Sequence, residues 1–197
     1  MAPAGTARAG GRREEDMRGY FGIGVENLSK PMNAGNLFRS AHAFGASFVF
    51  AIASPYSKRA AKSDTSHTPE QLPFYSFEKV ADLTLPAGCR LVGIELLDEA
   101  VALPTFRHPP CAAYVLGRER GALSPELVER CHHLVKIPTR FCINVATAGA
   151  VVMYDRLISL GRFGERPVGS LGPPAPPPRH VWGDVVVRGR KGKESAR

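Results

Sequence analysis

The chain has 197 residues, of which 44% are apolar and 22% charged, and its formal net charge is +8. Its length favours a single domain, and its composition excludes wholesale disorder, a collagen-like fibre and a coiled coil. No apolar run approaches the roughly 18–20 residues that a membrane helix needs, so we expect no membrane span. Four cysteines without CxxC pairing indicate free thiols in a reducing compartment, and we predict a cytoplasmic protein.

The positive charge is concentrated near the C-terminus. Residues 179–197 carry six basic and two acidic side chains and follow the proline-rich stretch 173–178. Such a tail either attracts nucleic acid through counterion release or simply stays solvated. We divide the chain into a disordered N-terminal tail at 1–17, a folded domain at 18–165, and a proline-rich spacer with a basic tail at 166–197.

Within the folded domain, apolar runs typical of buried strands alternate with runs at helical spacing. In the first half of the domain we predict a strand at 20–25, a helix that ends at Gly45, strands at 47–52 and 74–77, and a weak helix at 78–84. Strands at 90–96 and 112–116 follow, and then a helix that begins at Ser124 and Pro125. A strand at 134–137 and a helix from Asn144 to Leu160, ended by Gly161, complete the domain. This alternation predicts an α/β fold with a mostly parallel sheet and helices on both faces.

Two local patterns suggest chemistry that their context does not support. Gly22 and Gly24 would begin a dinucleotide-binding loop, but position 27 holds asparagine where a third glycine is needed. The run Cys-His-His at 131–133 has metal-ligating side chains, yet adjacent residues point in different directions and no second ligand pair lies at zinc spacing. We therefore predict neither a nucleotide-binding loop at 22–27 nor a metal site.

Three polar clusters remain, each at a strand end or a helix start, where open α/β sheets bind their ligands. In the first, Asn33 is placed as a helix cap, and Arg39 lies on the helix face opposite the apolar residues. The second, 117–124, is a glycine turn whose backbone suits a planar adenine or a ribose. In the third, 137–154, Asn144 opens a helix of small residues that indicates close packing, for example against another subunit.

Together the clusters resemble the SpoU/TrmH family of the SPOUT methyltransferases. The family motif N-x-G-x-x-x-R-x-A-x-x-F-G is matched in register at 33–45. The motif G-x-E-x-x-G-L-S is matched in part at 117–124, where Gly121 stands one place early. The third motif, I-P followed by S-L-N-V-S and Y-E, is matched at 137–155, with Cys142 and Ala146 in the two serine positions. The resemblance spans about 20–160.

The resemblance implies a C-terminal deep trefoil knot, S-adenosyl-L-methionine as cofactor, no metal, and a homodimer with the active site between subunits. It further implies methyl transfer to a ribose 2′-hydroxyl of RNA, with tRNA favoured over ribosomal RNA because the chain is compact and no separate RNA-binding domain precedes the core. By position, the cofactor contacts would be Ile94, Glu95, Gly117, Ile137, Cys142 and Ile143.

The same resemblance suggests catalytic roles. Arg39 would clamp the neighbouring phosphate and stabilise the developing alkoxide, since a guanidinium is a poor base but a good bidentate donor. Asn144 would hold the ribose or Arg39, Asn33 would order its loop, and Glu119 would anchor the turn or reach Arg39 of the same or the partner chain. Because both serines of the third motif are replaced, a non-catalytic RNA-binding homologue is an alternative. Methylation of a base nitrogen is another.

Overall fold

The computed structural model describes residues 19–28, 30–54, 71–118 and 121–161, which contain one sheet of seven parallel strands. The strands are β1 Tyr20–Glu26, β2 Phe48–Ile52, β3 Phe74–Phe77, β4 Arg90–Ile94, β5 Val101–Ala102, β6 Cys111–Leu116 and β7 His133–Lys136. Their spatial order is β3-β2-β1-β6-β4-β7-β5. Because every strand runs in the same direction, all the carboxyl ends meet at one edge of the sheet.

Three α-helices have both ends within the described residues, and these ends follow from local sequence. They are α1 Pro31–Ala43, α2 Pro125–Arg130 and α3 Val145–Leu160. Gly45, just beyond α1, has a φ of +74°, a conformation that ends helices and suits glycine. Ser124 caps α2 and Asn144 caps α3, each through its side-chain oxygen, as the sequence predicts. Within the described part of the chain, no helix is long and apolar enough to cross a membrane.

The helices lie on both faces of the sheet, which confirms that part of the prediction. On one face, α1 and α3 pack over buried strand residues such as Ile23 and Tyr114. On the other face, α2 and a 3-10 turn at Val80–Asp82 cover a second apolar cluster that includes Phe50. The central strands are therefore buried on both sides, as their nearly continuous apolar sequences require.

The two glycines of β1 are explained by packing. Gly22 pairs with Phe48 and Gly24 with Phe50 in the parallel register of β1 and β2. A Cβ atom at either glycine would collide with the ring of the paired phenylalanine. These glycines therefore make room for aromatic rings, which is why a glycine pattern appears here without a nucleotide-binding loop.

Two local predictions were wrong. Asn33 does not cap α1, because the helix already begins at Pro31 with Lys30 at the N-cap position, and Asn33 lies in the first turn. Proline fixes φ at a helical value and favours the first helical position, so it starts the helix three residues early. The weak helix expected at 78–84 is only the 3-10 turn at Val80–Asp82.

Other predictions fall outside what the described residues test. The predicted tails at 1–17 and 166–197 lie outside the described residues, as do residues 55–70. The trefoil knot and the domain limits stay predictions. The four cysteines are free thiols, as expected from their spacing.

Near the amino ends of β1 and β6, a buried arginine ties three segments together. The side chain of Arg156, on α3, is only 1% exposed. Its guanidinium donates to the carbonyl oxygens of Pro109 at 2.7 Å, Pro110 at 2.7 Å and Tyr20 at 3.2 Å, and to the Tyr114 hydroxyl at 3.2 Å. A buried charge is tolerated only when it is hydrogen-bonded in this way.

We predict that Arg156→Met lowers the free energy of unfolding by about 3 kcal/mol or more, because it removes four hydrogen bonds from a buried guanidinium that joins three segments. Arg156→Lys should not restore stability, since one ammonium group cannot replace a planar fork of five donors. Urea unfolding at neutral pH measures both changes. The exposed Arg107→Met is the control and should change stability by no more than about 0.5 kcal/mol. A wild-type midpoint for Arg156→Met would contradict the role assigned to these contacts.

Candidate active site

A pocket lies at the carboxyl ends of β4, β6 and β7, which are neighbours in the sheet. Its cavity volume is about 200 Å³. Open α/β sheets bind their ligands at this edge. The position is therefore that of a ligand site.

The structure brings all six residues that the resemblance assigns to the cofactor to this one pocket. They are Ile94, Glu95, Gly117, Ile137, Cys142 and Ile143. They come from three strand ends and from the segment before α3, so their meeting depends on the topology. Arg118 and Thr139 also line the pocket. Sequence reasoning missed these two because they occupy variable positions of the motifs.

The pocket walls combine apolar side chains with exposed backbone. Ile94, Ile137 and Ile143 provide flat apolar surface. At Gly117, a Cβ atom would lie 3.1 Å from the backbone nitrogen of Leu123, so a side chain would press on the loop that closes the pocket. Such a glycine cradle with apolar walls fits a planar base, which stacks on aliphatic side chains and hydrogen-bonds to backbone groups.

Two carboxylates hold the loop that follows β6. The Glu95 carboxylate accepts a hydrogen bond from the backbone nitrogen of Leu123 at 2.8 Å and one from Leu96 at 2.9 Å. Glu26, at the end of β1 and only 4% exposed, accepts from the backbone nitrogen of Ser124 at 2.8 Å and from the Ser124 hydroxyl. The loop is thus attached to two different strands by consecutive amides.

Asn33 and Asn144, two of the predicted catalytic residues, meet between the first turn of α1 and the start of α3. The Asn144 side-chain amide donates to the Asn33 side-chain oxygen at 3.2 Å. The Asn144 oxygen accepts from the backbone nitrogens of Ala146 at 2.9 Å and Thr147 at 3.4 Å. Capping fixes which end of the amide faces the helix, so the nitrogen is directed away from it.

The other two predicted catalytic residues are Arg39 and Glu119. Arg39 is exposed on α1, six residues after Asn33, which corresponds to about 9 Å along the helix axis and about 120° around it. None of the described residues that line the pocket belongs to α1. The structure therefore does not bring Arg39 to the pocket of its own chain. Glu119 lies outside the described residues, and its role stays a prediction.

The side chains of the Cys-His-His run at 131–133 are explained by contacts within the fold. Burial raises the pKa of the Cys131 thiol to about 11. The Nδ1 of His132 accepts from the backbone nitrogen of Leu91 at 3.1 Å, and the His133 ring packs edge-on against Phe106 with centroids 5.5 Å apart. Within the described ranges, no cluster of histidine, cysteine and acidic residues is arranged to hold a metal ion.

Comparison with known proteins decides the family. The SpoU rRNA Methylase family matches residues 21–154, about two-thirds of the chain. The chain belongs to this family. No curated protein matches the chain significantly.

Several solved structures share the fold of this SpoU family member. An rRNA methyltransferase from Sinorhizobium meliloti is 21% identical, with a TM-score of 0.65 over 74% of this chain and 58% of that chain. An AdoMet-bound rRNA methyltransferase from the same organism is 20% identical, with a TM-score of 0.64 and the same coverage. A structure described by 2-OH methylation of C/U34 on tRNA is 24% identical, with a TM-score of 0.58 over 73% of this chain and 97% of that chain. This chain therefore spans little more than half the length of the Sinorhizobium proteins.

We predict that Glu26→Ala loosens the loop after β6. The change leaves the Ser124 amide without its acceptor, and we expect the free energy of unfolding to fall by about 2 kcal/mol. Hydrogen exchange measured by mass spectrometry should also become faster in peptides covering 121–127. Glu126→Ala, which removes an exposed carboxylate two residues from Ser124, is the control and should leave exchange unchanged. Wild-type protection of 121–127 in Glu26→Ala would show that the carboxylate does not hold the loop.

Proposed function

We propose that this SpoU family member is an S-adenosyl-L-methionine-dependent RNA methyltransferase that acts on a ribose 2′-hydroxyl, with tRNA as substrate. The observation that carries the proposal is the meeting of Ile94, Glu95, Gly117, Ile137, Cys142 and Ile143 around one pocket. Six positions that the family resemblance implies line a single cavity. The AdoMet-bound Sinorhizobium structure, which shares the fold, supports the choice of cofactor.

The pocket residues fit this cofactor. The isoleucine walls and the backbone at Gly117 suit the adenine ring, as described above. Both oxygens of Glu95 already accept one backbone amide each, and a carboxylate oxygen has a second lone pair available. Glu95 can therefore accept a hydrogen bond from a ribose hydroxyl while it continues to hold the loop.

The transfer requires an oriented nucleophile. When bound, the cofactor supplies an electrophilic methyl group on a positively charged sulfur. The 2′-oxygen forms the new bond to the methyl carbon, the carbon–sulfur bond breaks with its electron pair going to sulfur, and the hydroxyl proton passes to solvent. Arg39 holds the adjacent phosphate and stabilises negative charge on the oxygen as it loses its proton. Asn144, oriented by its capping bonds and by Asn33, positions the ribose.

A homodimer with the active site between subunits accounts for the location of Arg39, which the fold keeps out of the pocket lining of its own chain. The surface of α3 supports such a dimer. Val151, Tyr154 and Ile158 are exposed apolar residues spaced three and four apart, so they form one stripe along the helix. A second copy of the chain would cover this stripe and bring its Arg39 toward the pocket.

The proposal also specifies the methylated group, a ribose, and the class of RNA, tRNA. The fold neighbour described by 2-OH methylation of C/U34 on tRNA is covered over 97% of its length, so its size is close to that of the present domain. That similarity supports a ribose target in tRNA over a ribosomal one. The free thiols support a cytoplasmic location. The two alternatives, an RNA-binding homologue without activity and a base methyltransferase, give different results in the assay below.

We expect Arg39→Ala to lower methyl incorporation by about 100-fold or more, because it removes the group that stabilises the developing charge. The assay uses the full chain, the cofactor with a tritiated methyl group, and small RNA from the source strain with this gene deleted. Affinity for S-adenosylhomocysteine, measured by calorimetry, should not change. Arg90→Ala, an exposed arginine at the opposite edge of the sheet, is the matched control.

The outcomes separate the alternatives. Label recovered in 2′-O-methylated nucleosides supports the proposal, whereas label on a base would establish base methylation instead. RNA retention without cofactor binding or incorporation would identify a non-catalytic homologue. Near-full activity of Arg39→Ala would refute the proposed mechanism even if the wild type methylates ribose.

We expect Ile158→Arg to convert the dimer to a monomer and to abolish methyl transfer, because a charge placed in the apolar stripe cannot be desolvated against a second copy. Sedimentation velocity measures the mass and the tritium assay the activity. Val101→Arg, which changes an equally apolar exposed residue on the edge strand β5, is the control and should keep both. A wild type that sediments as a monomer and still methylates RNA would overturn the dimeric site.

A further inference from the structure

Phe141 is the most exposed large apolar side chain among the described residues, with 74% of its surface accessible. It lies between β7 and α3, in the segment that borders the pocket. Thr139 and Cys142, on either side of it, both line the pocket. The phenyl ring is therefore carried at the rim of the pocket.

The backbone that carries the ring is held in place. The Thr139 hydroxyl donates to the carbonyl oxygen of Phe141 at 2.9 Å, and the Thr139 backbone nitrogen donates to the carbonyl oxygen of Ile137 at 2.7 Å. On the far side, Ile143 packs against the main core and Asn144 begins α3. The exposed ring is thus mounted on a short segment fixed at both ends.

Exposure of this ring brings no stability to the chain. Full burial of a phenylalanine contributes about 1.5–3 kcal/mol, and that contribution is largely missing here. Its neighbours along the chain, Thr139, Arg140 and Cys142, are exposed and include a hydroxyl and a guanidinium. A protein partner is typically bound by a larger continuous apolar surface. An isolated aromatic ring next to an arginine is instead suited to stacking on a nucleobase of single-stranded RNA, with the cation near a phosphate.

We propose that Phe141 stacks on a nucleobase of the RNA substrate at the mouth of the pocket and so positions the ribose that is methylated. The inference rests on the proposed RNA substrate and names one of its contacts. Base stacking does not depend on base identity, so Phe141 contributes affinity and positioning for an unpaired nucleotide. Phe141 is thus expected to favour a loop or a bulge over a continuous helix.

The test compares three variants of the full chain. Phe141→Ala removes the ring, Phe141→Leu keeps an apolar side chain without a ring, and Phe141→Trp keeps an aromatic one. We expect the first two to raise the KM for RNA about tenfold, in line with the loss of one stacked base, and the third to restore it. Affinity for S-adenosylhomocysteine and the sedimenting mass should stay at wild-type values in all three.

A direct binding signal separates failure of this inference from failure of the proposed function. In a Trp182→Phe background, which removes the only tryptophan of the chain, the indole introduced by Phe141→Trp should lose fluorescence when the same small RNA is added. This signal needs no catalysis. Unchanged RNA affinity in Phe141→Ala, unquenched fluorescence, or a change of mass that places the ring in a subunit contact would each overturn the inference. Quenching without methyl transfer would keep it and refute the proposed activity instead.

Discussion

The pocket depends on two carboxylates that hold one loop. Glu26, at the end of β1, and Glu95, just after β4, accept the backbone amides of the neighbouring residues Ser124 and Leu123. Burying a carboxylate such as Glu26 costs several kcal/mol unless hydrogen bonds replace its water, and the loop amides supply them. Because the strands are parallel, both carboxylates arrive at the same edge, and the loop is fixed above the site where Gly117 leaves β6.

A second polar network holds the opposite edge, and α3 connects the two. There the His108 ring lies 2.6 Å from the Tyr114 hydroxyl and 2.9 Å from the Asp155 carboxylate. Burial lowers the pKa of His108, which favours the neutral ring beside the charge of Arg156. Asp155 and Arg156 belong to the same helix whose first turn is capped by Asn144. This helix, about 24 Å long, therefore connects Asn144 at the pocket edge of the sheet with an anchor at the other edge.

The elements with a full apolar period could be predicted from sequence. The six cofactor positions could be named only from the family resemblance, since Ile94 and Glu95 lie in none of its three motifs. Where two residues could each begin a helix, the sequence did not show which one does. Pro31 and Asn33 are such a pair, and α1 begins at Pro31. Contacts across the sheet also had no local signal. Glu26 and Ser124 are separated by 98 positions, and only the parallel order of β1, β6 and β4 brings them together. Thr139 stands at a variable position of the third motif, so only the pocket itself identifies it.

The two serine replacements in the third motif now have a physical interpretation. The amide of Ala146 is one of those that a helix start leaves without a partner, and the side-chain oxygen of Asn144 accepts a hydrogen bond from it, so this cap does not depend on the side chain at 146. Cys142 lines the pocket, and a thiol is a weak donor, so this position provides shape with little hydrogen bonding. In this segment Asn144 therefore makes the polar contacts, since it caps α3 and bonds to Asn33. With Cys142 and Ala146 in the two serine positions, Asn144 provides the strong hydrogen-bonding side chain among these three positions, and the helix that it caps is intact.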